Sequence, residues 1–326
     1  MIMETLLNLL AVAFGFGLLA GGADMLVRGG SRVARTLGIG PMVIGLTVVA
    51  YGTSAPEMMA SVVAAVYGNH EITVGNVVGS NIANIGLVLG LTGALVPFNV
   101  SFALIRKESL FMVAVTGAFF AMAFWGHFGR AQGVILLLLL VLFNMLTLQW
   151  ARRSPGKVQK EYEDFEAEKV QDEDDALGRD LALVAAGCLL LFAGGHVVVK
   201  GAVFLAAKAG VSESVIGVTL VAMGTSLPEM VTSIVAVRRG EAAICVGNLL
   251  GSNLFNILGA IGLSAVISPF GVEASMLRFE FPMLLIFTVA MTLVMLTRGR
   301  VTRGEGILLL AGYVAFTVAV LAGFGS

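Results

Sequence analysis

The stretch that decides the fold is IGLTVVAYGTSAPE at residues 44–57, which returns as IGVTLVAMGTSLPE at residues 216–229. The two copies agree at 10 of 14 positions and lie 172 residues apart. Each ends in a proline and a glutamate within an apolar setting, the first at Pro56 and Glu57. Because a carboxylate at membrane depth is costly, such a residue marks a functional site by default. A matched pair predicts an ion site between the two halves of a transporter.

A second motif follows each copy at the same offset. GNVVGSNIANI at 75–85 and GNLLGSNLFNI at 247–257 agree at 7 of 11 positions. Weaker matches, such as Pro97 with Pro269, extend the repeat over nearly the whole chain. The sequence therefore predicts two structurally equivalent halves.

Composition assigns the chain to a membrane. Its mean hydropathy is +0.95 and 58% of its residues are hydrophobic, against roughly 45–50% in a soluble domain. Apolar runs that can cross the roughly 30 Å hydrocarbon core recur along the chain. The N-terminus has no basic region and no cleavage site, so we expect it to form the first span and not a removable signal.

We predict an all-α integral membrane protein with ten transmembrane helices, arranged as two inverted five-helix repeats. The expected spans are 5–27, 40–66, 72–96, 104–125, 131–150, 181–205, 212–237, 243–267, 276–296 and 304–324. Five is an odd number, so the second half enters the membrane with opposite polarity. The first repeat covers 1–151 and the second covers 181–326, joined by an acidic connector at 152–180.

Basic residues predict the orientation of these spans. The loops after the odd-numbered helices hold 16 of the 20 lysines and arginines. Since positive charge favours the cytoplasmic side, we expect the connector to be cytoplasmic and both termini to face outward. We interpret the acidic run at 161–175 as a solvated linker, because it lacks the spaced pattern of a Ca²⁺-binding loop.

The residues around Pro56 provide hard oxygen ligands. A proline removes a backbone donor and breaks the helix, which would free carbonyls such as those of Ala50 and Thr53. Carbonyls, hydroxyls and carboxylates suit Na⁺ and Ca²⁺. The second copy supplies the equivalent groups from the opposite side, at Ala222, Thr225, Ser226 and Glu229.

The second motif adds neutral oxygen donors. Asparagine oxygens can coordinate a cation without adding charge, and Ser80 and Asn84 share one helix face. The matched pairs are Asn76 with Asn248, Ser80 with Ser252, Asn81 with Asn253, and Asn84 with Asn256. Helix packing is an alternative role for such polar groups, especially for the first and third pairs. Asp24 has no acidic counterpart in the second half, and we interpret it as a structural or conformational group.

The two motifs resemble those of the cation/Ca²⁺ exchanger superfamily, most closely the prokaryotic sodium/calcium exchanger type. The resemblance rests on GTSAPE with GNVVGSNIAN and on GTSLPE with GNLLGSNLFN. It covers essentially the whole chain. It implies ten helices, in which helices two, three, seven and eight bind ions while helices one and six slide across them.

The resemblance also implies a ligand set. Ca²⁺ would bind Glu57 and Glu229 together with the carbonyls of Thr53 and Thr225. The Na⁺ sites would share the glutamates and add Ala50, Ser54, Ser80, Ala222, Ser226 and Ser252. Some relatives have aspartate at the positions of Asn84 and Asn256, and its absence argues against K⁺ transport.

The function predicted on these grounds is Na⁺/Ca²⁺ exchange by alternating access in a bacterial-type plasma membrane. A Ca²⁺/H⁺ antiporter would use the same two glutamates, and a passive cation channel is a further alternative. We expect no enzymatic activity, because the spans lack paired catalytic aspartates and a His-x-x-x-His motif. Ca²⁺ and Na⁺ are the expected substrates and lipid the expected surroundings, with no resident cofactor, nucleic acid or obligatory protein partner.

Overall fold

The computed structural model describes residues 2–99, 102–153, 177–210 and 222–324, and this part of the chain is helical almost throughout. Its first half contains α1 (Ile2–Thr36), α2 (Pro41–Ile44), the π-helix π1 (Gly45–Val49), α3 (Ala50–Val66), α4 (His70–Ala83), π2 (Asn84–Leu89), α5 (Gly90–Leu95), β1 (Phe98–Asn99), α6 (Phe102–Ala123), β2 (His127–Phe128) and α7 (Arg130–Arg153). Its second half contains α8 (Leu177–Lys208), α9 (Ala222–Thr225), α10 (Leu227–Arg238), α11 (Ala242–Leu254), π3 (Phe255–Ile261), α12 (Gly262–Ile267), β3 (Phe270–Gly271), α13 (Ala274–Arg278), α14 (Glu280–Arg298), β4 (Arg300–Val301) and α15 (Arg303–Leu321). The expected all-helical character is confirmed.

Six helical segments are long and apolar enough to cross a membrane. They are Met3–Thr36, His70–Leu95, Arg130–Ala151, Leu177–Lys208, Ala242–Ile267 and Arg303–Leu321. The count of ten spans stays a prediction. The acidic run at 161–175 and the first residues of the second repeat copy, 216–221, lie outside the described residues.

The expected helix break at Pro56 is wrong for the first copy. α3 continues through Pro56, although proline cannot donate the usual bond to the carbonyl four residues earlier. The side chains of Thr53, Ser54 and Glu57 are all fully buried in α3, so tertiary packing keeps this segment helical. The second copy does break: α9 ends at Thr225, and α10 begins at Leu227 with its proline in the first turn.

Two expected span boundaries also differ. α1 extends nine residues beyond the expected end at residue 27, to Thr36. The span expected at 276–296 is divided at Phe279, whose φ of −129° lies outside the helical region. Pro282 explains the division, because it has no N–H to donate to the carbonyl of Arg278.

Two short antiparallel sheets connect the halves of the chain. β1 pairs with β4 through Phe98 and Val301, and β2 pairs with β3 through Phe128 and Phe270. Each sheet takes one strand from the first half and one from the second. Because Phe98 and Phe270 are 172 residues apart, the two sheets use equivalent loops in exchanged roles.

The helices that carry the two motifs form the centre, and α1 and α8 pack against each other beside it. Every residue of α11 is buried. Glycines bring α1 and α8 together: a Cβ on Gly22 would lie 2.9 Å from the carbonyl oxygen of Gly187. Such close backbone contact is typical of helix pairs in membranes.

Candidate ion-binding site

The two repeated glutamates are the most deeply buried charged groups of the structure's centre. Glu57 lies on α3 and Glu229 lies in the first turn of α10, and both are 0% exposed. Within the described residues, neither carboxylate has a basic partner. A buried carboxylate needs a compensating charge or a proton, so the pair forms a site for positive charge.

Hydroxyl groups connect the two copies across this centre. Ser54 Oγ donates to Glu229 Oε1 at 2.8 Å. In the reciprocal contact, Ser226 Oγ donates to Glu57 Oε1 at 3.5 Å. Each carboxylate thus receives a hydroxyl from the opposite copy, which brings the two GTS-x-PE motifs together in one site.

The amides of the second motif contact each other across the repeat in a similar way. Asn256 Nδ2 donates to Ser80 Oγ at 3.1 Å, and Asn84 Nδ2 donates to Asn253 Oδ1 at 3.2 Å. Both asparagines therefore use their donors on protein groups, which leaves their own oxygens as acceptors.

Several buried oxygens accept no hydrogen bond within the part of the chain that the structure describes. They are Glu57 Oε2, Glu229 Oε2, Asn81 Oδ1, Asn84 Oδ1, Asn256 Oδ1 and the hydroxyl of Ser252. Because an unpaired buried polar group costs about 1–3 kcal/mol, this concentration of unsatisfied oxygens needs a partner. Hard cations such as Na⁺ and Ca²⁺ bind oxygens of these types.

The other predicted ligands lie on the same elements. Ala50 is fully buried at the start of α3, and the hydroxyl of Thr53 donates to Asn248 Oδ1 at 3.1 Å. Thr225 ends α9 and is partly buried. Ala222 begins α9, and its side chain is outside the described part. The structure brings both copies of the hydroxyls, carboxylates and amides together, while their role as ligands stays a prediction.

Sequence reasoning missed two serines that position the amides. Asn76 Nδ2 donates to Ser61 Oγ at 2.8 Å, and Asn248 Nδ2 donates to Ser233 Oγ at 3.5 Å. Ser61 and Ser233 are themselves 172 residues apart. Their shared residue type at the repeat offset was the available signal. The contacts agree with a packing role for Asn76 and Asn248.

Sequence reasoning also missed the π-helices at the site. Asn84 is the first residue of π2, and Asn256 is the second residue of π3. A π-helix shifts the backbone hydrogen bonds and is frequent at functional sites. Both asparagines thus lie where the regular helix is interrupted, at equivalent places in the two halves.

Asp24 is not part of this group of oxygens. Its carboxylate pairs with Arg28 at 3.1 Å and accepts a hydrogen bond from Arg239 Nε at 2.6 Å. These contacts agree with the structural interpretation of Asp24. A separate surface cavity of about 320 Å³, lined by His70, Glu71 and Glu273 among others, contains none of the predicted ligands.

The chain has well-characterised relatives in sequence. The family profile described as "Sodium/calcium exchanger protein" matches residues 7–149 and 180–322. The putative antiporter CaxA of Alkalimonas amylolytica is 36% identical over 308 residues, which cover 94% of this chain and 96% of that protein. The sodium/calcium exchanger MaX1 of Methanosarcina acetivorans is 30% identical over 343 residues, which cover 96% and 98%.

A solved structure shares the fold over nearly the full length. The sodium-calcium exchanger NCX_Mj, soaked with 10 mM Na⁺ and no Ca²⁺, superposes with a TM-score of 0.81 at 31% identity. The superposition covers 98% of this chain and 99% of that one. The oxygen-rich centre described above therefore lies in a fold that a cation exchanger also adopts.

Proposed function

The chain belongs to the sodium/calcium exchanger protein family, and from this premise we propose that it couples inward Na⁺ movement to outward Ca²⁺ movement. It is an integral membrane antiporter of cations and Ca²⁺, and not an enzyme. The observation that carries the proposed coupling is the reciprocal contact between copies, in which Ser54 reaches Glu229 and Ser226 reaches Glu57.

The proposed ligand set follows from these contacts. Ca²⁺ binds the carboxylates of Glu57 and Glu229 together with the backbone carbonyls of Thr53 and Thr225. Na⁺ shares the two glutamates and uses further oxygens nearby, from Ala50, Ser54, Ser80, Asn84, Ala222, Ser226, Ser252 and Asn256. The unpaired oxygens of Asn84 and Asn256 support their inclusion.

Charge neutralisation makes the two ions mutually exclusive. The ionised pair carries two negative charges, which one Ca²⁺ compensates completely. More than one Na⁺ achieves the same compensation at the same oxygens. Because both kinds of occupancy need the two glutamates, binding of one ion displaces the other. This competition at one site is what an antiporter requires.

Alternating access needs two equivalent routes to the site, which the proposed inverted repeat supplies. The family profile matches the chain in two segments of equal length, 7–149 and 180–322, which supports this division. The exchanged roles of the two short sheets support it too. The proposed divisions are residues 1–151 and 181–326, with the 152–180 connector in the cytoplasm and both termini outside a bacterial-type plasma membrane.

Proton coupling is the second candidate. Two buried carboxylates without basic partners can each take up a proton, and the relative CaxA is described as an antiporter without a named ion. The serine hydroxyls on both carboxylates favour Na⁺ in our proposal, because they add neutral oxygens that a proton does not need.

Uptake of ⁴⁵Ca²⁺ into proteoliposomes separates the two candidates. We compare an outward Na⁺ gradient with an outward H⁺ gradient, with valinomycin and K⁺ present to hold the membrane potential at zero. The proposal predicts uptake with the Na⁺ gradient alone. Uptake with the H⁺ gradient alone would transfer the protein to the proton-coupled branch.

A further inference from the structure

A group of charged and polar side chains connects α1 to the turn between α10 and α11. Arg239 Nε donates to Asp24 Oδ1 at 2.6 Å, and Arg28 pairs with the same carboxylate at 3.1 Å. One turn further along α1, Ser31 Oγ donates to Glu241 Oε1 at 2.5 Å. We call these five residues the Asp24–Arg239 cluster.

The cluster joins two parts of the molecule with different roles. α1 packs along α8 beside the centre, whereas α10 and α11 carry Glu229 and Ser252 of the proposed ion site. The turn between α10 and α11 is tight, with Gly240 at a φ of +77°. Arg239 and Glu241 on either side of this glycine are therefore held close to the helices that bind the ions.

The cluster is present at one end of the molecule only. At the repeat offset of 172 residues, Asp24 corresponds to His196 and Arg239 corresponds to Tyr67. Both of these residues are exposed, and Tyr67 is 77% exposed. Ser31 corresponds to Val203, which has no hydroxyl. The two ends of the proposed repeat thus differ in how firmly α1 and α8 are attached to the centre.

The ion site is closed in this arrangement. Glu57 and Glu229 are 0% exposed, so neither end of the molecule gives water access to them. To open the end that holds the cluster, α1 has to separate from the turn between α10 and α11. That separation breaks the contacts of Asp24 with Arg239 and of Ser31 with Glu241.

We propose that the Asp24–Arg239 cluster holds one end of the ion path closed and thereby favours states that open at the opposite end. This inference rests on the proposed alternating access, and on the predicted orientation the cluster lies on the cytoplasmic side. Loss of the cluster shifts the population toward molecules open at the cluster end, because a change in relative stability changes relative population.

Two reporter cysteines at equivalent places measure both ends. Val27 lies on α1 between Asp24 and Ser31 and is fully buried, and its repeat equivalent on α8 is Val199. We introduce Val27→Cys or Val199→Cys after replacing the native Cys188 and Cys245 by alanine. The rate of labelling with a maleimide is then measured for each reporter in reconstituted protein without Ca²⁺ or Na⁺.

The test variant is Arg239→Gln, and the matched control is Arg238→Gln, which removes the same charge from the exposed neighbouring residue. A partly exposed ion pair supports a change of about two- to fivefold. We expect Arg239→Gln to accelerate labelling at Val27→Cys by this factor and to slow labelling at Val199→Cys. Equal rates in the two glutamine variants would refute the proposal, and so would acceleration at both reporters, which indicates general loosening.

A double variant checks that the two ends of the pair act together. Asp24→Asn combined with Arg239→Gln should label no faster than either single variant, because both changes remove one interaction. Additive acceleration would show independent effects and contradict the cluster. Should Arg239→Gln fail to fold, Ser31→Ala tests the second contact in the same way.

The labelling result is independent of which ion drives transport. Faster labelling at Val27→Cys together with failed Na⁺-driven uptake supports the cluster and overturns the proposed coupling. Unchanged labelling together with successful uptake overturns the cluster and leaves the coupling intact. The two proposals can thus fail separately.

Discussion

The carboxylates of Glu57 and Glu229 show how a single residue is prepared for an ion. One oxygen of each accepts a hydroxyl from the opposite copy, while the other accepts no hydrogen bond among the described residues. The hydroxyl fixes the orientation of the carboxylate, and the second oxygen stays available. Because both partners are buried, the arrangement is stable only when positive charge compensates it.

The two serines should differ in their effect on Na⁺. Ser54 lies 2.8 Å from its carboxylate, whereas Ser226 lies 3.5 Å from its own. We expect Ser54→Ala to raise the Na⁺ concentration for half-maximal exchange by roughly tenfold, which is about 1.4 kcal/mol and typical of a hydrogen bond to a charged group. Ser226→Ala should raise it less. The measurement is Na⁺-dependent release of ⁴⁵Ca²⁺ from loaded proteoliposomes.

Thr292→Val is the control for this comparison, because the Thr292 hydroxyl is bonded to the carbonyl of Thr288 within its own helix. It should leave the Na⁺ dependence unchanged. An unchanged Na⁺ dependence in Ser54→Ala would exclude this serine from the site.

At the level of single residues, the sequence was sufficient to select the acids, hydroxyls and amides of the centre. Their residue types and the 172-residue offset carry that information. The sequence could not show which atom of Asn84 or Asn256 faces its neighbour, because side-chain orientation depends on helices distant in the chain. The positioning roles of Ser61 and Ser233 depend on the same tertiary contacts.

Whole helices follow the sequence less closely than these residues do. Proline alone predicted a break at both GTS-x-PE motifs, yet only the second copy breaks, at Ser226. Burial of α3 keeps the first copy helical despite the missing donor of Pro56. The π-helices have no proline or local signal of their own, since they arise where packing widens one helical turn.

Contact between α5 and α15 depends on a single missing side chain. A Cβ on Gly306 would lie 2.4 Å from the backbone nitrogen of Ala94 and 2.7 Å from the carbonyl oxygen of Gly90. Backbone atoms cannot move aside as a flexible side chain can, so overpacking here costs roughly 1–3 kcal/mol. We expect Gly306→Ala to lower the thermal unfolding temperature in detergent.

Gly304 supplies a matched control two residues earlier in the same helix, since a Cβ there meets nothing within 4 Å. Gly304→Ala should leave the unfolding temperature close to that of the unchanged protein. Equal unfolding temperatures for the two alanine variants would show that α5 and α15 are not in close contact.

The whole molecule is organised by the repeat. The 172-residue offset predicted two equivalent halves, and the short sheets that pair β1 with β4 and β2 with β3 join those halves through equivalent loops. Small strands of two residues have no reliable sequence signal, and the one-sided Asp24–Arg239 cluster could not be predicted from symmetry. The number of spans and the orientation in the membrane stay predictions.

Transported ions should stabilise the folded molecule as a whole. A ligand that binds only the native state adds about 2.7 kcal/mol to the free energy of unfolding at 100 times its dissociation constant. We therefore expect Ca²⁺ and Na⁺ each to raise the thermal unfolding temperature in detergent. K⁺ at the same ionic strength should have no such effect, and the Ca²⁺ effect should disappear in Glu57→Gln. Equal stabilisation by Na⁺ and K⁺ would argue against a specific Na⁺ site.

The most direct test of the ion site is ⁴⁵Ca²⁺ uptake driven by an outward Na⁺ gradient, measured for Glu57→Gln, Glu229→Gln and Glu280→Gln. The first two changes remove one charge from the central pair, while Glu280→Gln removes a carboxylate at the start of α14. Our account predicts uptake at the background level for the first two variants and preserved uptake for Glu280→Gln. Full uptake by either central variant would contradict it.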